Sequence, residues 1–156
     1  MALAISLAVS TLLAVVGASY FIGFCSSTSA APVGFYWRTS GTPERGVLVE
    51  FCLPEDVAEF ALTRRYIGYG TCPGGAESLG KIVMGVAGDI VEVKPEAALK
   101  SDSAGRPMVH FPFGKYKVPA GEVWLQGAAR NSFDARYFGP VPTSNIRARL
   151  SPLLTW

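Results

Sequence analysis

No Asp, Glu, Lys or Arg occurs in the first 37 residues, and inside that stretch Ala2 to Phe24 form an almost unbroken apolar run. About 20 apolar residues at 1.5 Å per residue suffice to cross a hydrocarbon core of roughly 30 Å. The run therefore predicts a single transmembrane helix over residues 2–24, followed by a domain over residues 25–156. Its polar members, Ser6, Ser10, Thr11 and Ser19, carry hydroxyls that can bond back to helix carbonyls, and Tyr20 and Phe21 suit an interfacial belt. The rival reading is a cleaved secretory signal, because Thr28-Ser29-Ala30-Ala31 resembles a small-residue cleavage site. The length of the run and the lack of a basic flank before it favour a retained anchor. The short N-terminal flank carries no Lys or Arg to set a direction, so the placement of the remainder in a non-cytoplasmic space rests on the cysteines and on the resemblance that follows.

Behind the run the composition is that of an ordinary globular domain, rich in Gly and Pro, and a net charge of +2 gives no reason to expect a nucleic-acid partner. Strand-like runs fall at 46–52, 81–86, 90–93, 109–113, 122–126 and 146–150, separated by Gly- and Pro-containing turns. One helix is expected from Pro54 to about Tyr66, opening on acidic residues and closing on Arg64-Arg65. The expectation is a mainly β, antiparallel domain with one short helix. In an exported domain Cys52 and Cys72 read as a disulfide; zinc is the alternative, but metal-type spacing is absent and His110 is the single histidine. Cys25 is left over as a small buried hydrophobe.

With one histidine, a Ser-His-Asp triad would have to use His110, which sits in an aromatic strand and reads better as structural. The metal-free alternative for activating a hydroxyl is a lysine base, whose pKa near 10.4 must be lowered by desolvation. Lys81, alone in the apolar run Leu79 to Val86, fits that requirement, although on periodicity alone an edge-strand lysine is the commoner explanation.

The segment Lys81-Ile-Val-Met-Gly-Val-Ala-Gly-Asp89 resembles the lysine box of signal peptidase I, K-R-x-x-G-x-P-G-D, departing from it at Ile82 and Ala87. Asn131-Ser-Phe-Asp-Ala-Arg-Tyr-Phe-Gly-Pro-Val141 resembles the second box, N-S-x-D-S-R-x-x-G-x-V. After the apolar run, Ser26 to Tyr36 resembles the N-x-[ST]-x-S-x-P-x-G-[LF]-Y pattern of the conjugal-transfer TraF branch, aligned on Pro32, Gly34, Phe35 and Tyr36. The Phe51-to-Pro54 run and the C-terminal Ser-Pro-Leu-Leu-Thr-Trp are similar to that branch too.

The resemblance implies a signal peptidase I-like fold and a Ser/Lys endopeptidase with no cofactor, in which Lys81 is the general base. It further implies that Thr28 supports the oxyanion, Ser132 orients Lys81, and Asp134 and Arg136 brace the site, with a catalytic share open to Asp134. Its implied partner is a pilin precursor or other exported preprotein, which some members cyclise rather than hydrolyse. The implied location is the bacterial inner membrane, anchored in the lipid bilayer through residues 2–24, with the catalytic domain in the periplasm. The nucleophile position, however, is Ala30. A methyl group cannot attack a carbonyl, so three readings are open: a Ser→Ala change that silences the enzyme, use of Ser29 one residue out of register, or a binding protein that does not cut. The first is favoured. Signal peptidases also carry a V-N-G-type hairpin after the lysine box; here Ala97 runs directly into Ala98, so the hairpin is truncated or residues are missing at that point. A non-catalytic exported assembly module is the main alternative function, and a LexA-like autoprotease fits an anchor and a disulfide poorly.

Overall fold

The computed structural model describes residues 2–25 and 30–156, with backbone alone for residues 2–4, 14, 18–20 and 24. Thr28 and Ser29 lie outside the described residues. Helix α1 spans Ala2–Phe21, and the chain then turns into strand β1 (Ile22–Cys25). The expected helix therefore ends three residues early: Ile22 to Cys25 pair antiparallel with Trp37 to Gly34 of β2 (Gly34–Thr39) instead of continuing the helical ladder. Among the described residues, no helix is long and apolar enough to cross a membrane.

A seven-stranded antiparallel sheet forms the body of the domain, in the order β1-β2-β9-β3-β4-β7-β8. Its remaining strands are β3 (Leu48–Phe51), β4 (Leu79–Val86), β7 (Glu122–Gln126), β8 (Val141–Pro142) and the long β9 (Ile146–Thr155). A separate ribbon pairs β5 (Ile90–Val93) with β6 (Gly114–Lys117). The expected strand at 109–113 is not formed. Pro112 has no N–H for a ladder, and the Phe111 N–H donates to the Arg136 carbonyl at 3.0 Å, so the segment packs as an extended connection and pairing begins at Gly114. Strand β9 runs five residues past its expected end, and β2, which no sequence run had marked, pairs with it along its whole length.

Helix α2 is Glu55–Thr63, shorter than the expected Pro54–Tyr66. Pro54 precedes the first turn, and Glu55 and Asp56 sit at the positive end of the helix dipole. The stop is a Schellman turn: Arg65 adopts φ +58°, its N–H reaches the Leu62 carbonyl, and the Tyr66 N–H reaches the Ala61 carbonyl. Ala58 and Ala61 of α2 pack with Val49, Phe51, Val83, Val123, Leu125 and Val141 in the main core. Each large side chain buried there contributes about 1.5–3 kcal/mol. Cys52 and Cys72 form a disulfide in the same core, as expected of an exported domain.

Candidate active site

Burial along β4 alternates with period two, which puts Lys81 on the inward face with Val83. Lys81 is 4 % exposed, and its Nζ donates to Ser132 Oγ at 2.8 Å. Burial pushes the lysine below its ordinary pKa; the nearby Asp134 and Cys25 pull it part of the way back, and Arg136 adds to the lowering. The net direction favours a neutral amine, the form that can accept a proton. Lys81 and Ser132 open onto a cavity of about 450 Å³, whose walls include Cys25, Tyr36, Phe133 and Tyr137.

The remaining residues of the lysine box are structural. Gly85 is required by a close approach: a Cβ there would lie 2.9 Å from Val91 Cγ1 and 3.3 Å from Val118 Cγ2. Asp89 closes the turn between β4 and β5 by accepting the Val86 N–H at 2.8 Å and pairing with Arg45. The box thus fixes the strand that presents the lysine.

The second box folds as a loop that places Ser132 under Lys81, followed by the one-turn helix α3 (Ala135–Phe138). Asp134 is fully buried and caps α3. Its Oδ1 accepts the Arg136 N–H (3.1 Å) and Nε (2.8 Å), and its Oδ2 accepts Arg136 Nη2 (2.7 Å) and the Gly127 N–H (2.9 Å). Arg136 also donates to the carbonyls of Ala97 and Ala129, both at 2.9 Å. With four donors on its oxygens, Asp134 is arranged as a brace, holding the Ser132 loop, the end of β7 and the 95–97 turn together through Arg136.

Ala30 is described and buried, at 4 % exposure, in the turn that leads to β2. Tyr36 Oη, on that strand, holds the turn by donating to the Pro32 carbonyl at 2.6 Å. The cavity lining among the described residues includes Lys81 and Ser132 and does not include Ala30. The structure thus brings together four expected site residues, Lys81 with Ser132 and Asp134 with Arg136. His110 is exposed, stacked on Phe113 with ring centroids 4.1 Å apart and bonded to the Phe111 carbonyl. Sequence reasoning missed Glu50, Arg38 and Cys25, all on the cavity wall. Glu50 carried a usable signal, a lone charge within Val47-Leu-Val-Glu-Phe-Cys52, the same signal that marked Lys81.

A buried lysine on a strand, hydrogen-bonded to a serine, thus opens onto a cleft in an antiparallel sheet. The profile of the family described as "Signal peptidase, peptidase S26" matches residues 2–155, and the chain belongs to that family, whose members carry out a serine peptidase-type reaction. It is 37% identical over 155 residues to an Escherichia coli plasmid transfer protein TraF (90% of this chain, 88% of the relative). It is 36% identical over 172 residues to a probable conjugal transfer protein TraF of Sinorhizobium fredii (99% and 90%). A more distant relative is mouse mitochondrial inner membrane protease subunit 1, 39% identical over 72 residues (45% and 36%). The TraF-type resemblance drawn from the motifs is borne out.

Proposed function

We propose that this chain is a membrane-anchored Ser/Lys endopeptidase of conjugative transfer, in a form that lacks its nucleophile. The observation that carries the reading is the buried Lys81 amine bonded to Ser132 at the mouth of a cavity, in a chain of the peptidase S26 family. The conjugal-transfer names of the TraF relatives support the setting. The anchor rests on the sequence, where Ala2 to Phe24 form a nearly unbroken apolar run without Asp, Glu, Lys or Arg. On this reading the domain faces the periplasm from the bacterial inner membrane.

In the serine form, neutral Lys81 takes the hydroxyl proton of residue 30 as its oxygen attacks a peptide carbonyl. The residue 30 N–H and the Thr28 hydroxyl hold the oxyanion, at about 3 kcal/mol per donor. The C–N bond then breaks, Lys81 returns the proton to the leaving amine, and an ester remains on residue 30. Water or a substrate amine takes up the acyl group; the first outcome is hydrolysis and the second cyclisation. Ser132 fixes the amine throughout, and Asp134 with Arg136 fixes Ser132. The substrate is an exported pilin precursor or similar preprotein, bound extended along the strands.

Ala30 itself favours a second reading, a binding module that holds such a segment without cutting it. Production of the precursor alongside the Ala30→Ser protein separates the two. The peptidase reading expects a processed product, shortened by hydrolysis or one further water lighter by cyclisation, that disappears with Lys81→Ala. An unprocessed precursor with Ala30→Ser leaves the binding module.

A further inference from the structure

One buried charge on the cavity wall has no part in the proton transfers. Glu50, on β3, is 5 % exposed and lies in register opposite Gly80, the neighbour of Lys81. Its carboxylate accepts Arg38 Nε at 2.6 Å, Arg38 Nη2 at 3.0 Å and Ser78 Oγ at 2.7 Å. Arg38, on β2, therefore reaches across β9 to the strand that pairs with the lysine strand. The third corner of its guanidinium, Nη1, donates to the carbonyl of Ile22, the first residue of β1, at 3.2 Å. The group lies directly over Gly23, where a Cβ would meet Arg38 Nε at 3.2 Å.

β1 is the end strand of the sheet. Its last residue, Cys25, lines the cavity and packs over β4, with Sγ 3.9 Å from where a Cβ on Gly80 would sit. Five residues later the chain reaches position 30. Among the described residues the sheet ladder fixes β1 against β2 alone, so contacts that cross the sheet bear on its place over the lysine strand. A forked, planar guanidinium suits that task, since it bonds a carboxylate through one edge and a carbonyl through another; a lysine ammonium has no such fork.

We infer that Arg38 is a positioning residue: clamped by Glu50 and Ser78, it holds β1 over the lysine strand and so sets the approach of position 30 to Lys81. The consequence for catalysis rests on the peptidase reading, whereas the placement of β1 does not. The test accordingly has two arms.

In the first arm the full chain with Ala30 is used in detergent, and alkylation of Cys25 by N-ethylmaleimide is timed by mass spectrometry; Cys52 and Cys72 are held in the disulfide. Arg38→Met removes both edges of the fork and leaves Glu50 buried without its cation. Arg38→Met/Glu50→Leu removes the buried charge as well, which restores the melting temperature without restoring the bond to Ile22. Both variants are expected to alkylate Cys25 at least tenfold faster than the parent. A parental rate in the double variant overturns the inference, because it makes Arg38 a partner for Glu50 and nothing more. The second arm repeats the series in Ala30→Ser protein. Both variants are expected to lose at least tenfold in kcat with KM within threefold, and Arg38→Lys does not rescue. Full kcat in the stable double variant overturns the inference. If Ala30→Ser protein processes nothing at all, the peptidase reading fails, and the alkylation arm still decides the role of Arg38.

Discussion

Removing the Asp134 carboxylate should damage the fold more than any other single polar substitution near the site. Asp134→Ala leaves Arg136 Nε, one N–H of Arg136 Nη2, and the backbone N–H groups of Arg136 and Gly127 without their acceptor in a fully buried pocket. Breaking a buried pair by deleting one member costs about 3–5 kcal/mol, because the surviving charge stays out of water. Arg136 keeps its bonds to the Ala97 and Ala129 carbonyls, which holds the figure near the lower end. For a domain of this size that corresponds to a melting temperature lower by on the order of 10–15 °C. The assay is urea unfolding at neutral pH, with a double-mutant cycle adding Arg136→Met and Asp134→Ala/Arg136→Met. Two members of one network should not add: the double variant should be about 2–3 kcal/mol better than the sum of the singles. A loss below about 1 kcal/mol for Asp134→Ala, or strict additivity in the cycle, would refute the bracing role.

Other outcomes follow from the same geometry. Because burial lowers the Lys81 pKa in the folded state, the unfolded chain binds the proton more tightly between the folded value and about 10.4. Stability should therefore rise with pH across that window, and Lys81→Met should stabilise the fold at neutral pH, with the gain shrinking as pH approaches 10; pH-dependent urea unfolding tests this, and a gain that does not depend on pH contradicts it. In Ala30→Ser protein the same substitution should lower the processing rate by about 10²–10⁴-fold, the usual share of a general base. Opening the Cys52–Cys72 bridge by Cys72→Ser should cost about 3 kcal/mol, from the 20-residue separation, and show as a lower urea midpoint under non-reducing conditions. A midpoint equal to that of the parent would show that the closed loop adds nothing.

Lys81 stood out in the sequence as a lone cation in an apolar strand, and the two boxes favoured a base over an edge-strand lysine. Ser132, Asp134 and Arg136 were legible only through resemblance: each lies in a loop or a one-turn helix where no periodicity operates, and Ser132 and Arg136 bond to residues 51 and 39 positions away. Strand β2 escaped notice because Phe35, Tyr36 and Trp37 are all aromatic, so the alternation that buries Tyr36 and exposes its neighbours does not show in residue type. The run at 109–113 misled for the opposite reason. Its composition suits a strand, but Phe111 and Phe113 serve ring packing and Pro112 interrupts the ladder. The end of α1 depended on a partner strand ten or more residues ahead, which no local signal announces. Arg38 and Glu50 are 12 residues apart on non-adjacent strands, and only the sheet order places one within reach of the other.

The account turns on whether Lys81 serves a nucleophile at position 30, and one measurement addresses that directly. Ala30→Ser protein is mixed with precursor peptide, quenched in acid within the first turnover, and weighed intact by mass spectrometry, beside Ala30→Ser/Lys81→Met and the chain carrying Ala30. The account predicts an acyl adduct on residue 30 in the first protein and none in the other two. No adduct on the serine form, or an equal adduct when Lys81 is methionine, would contradict it.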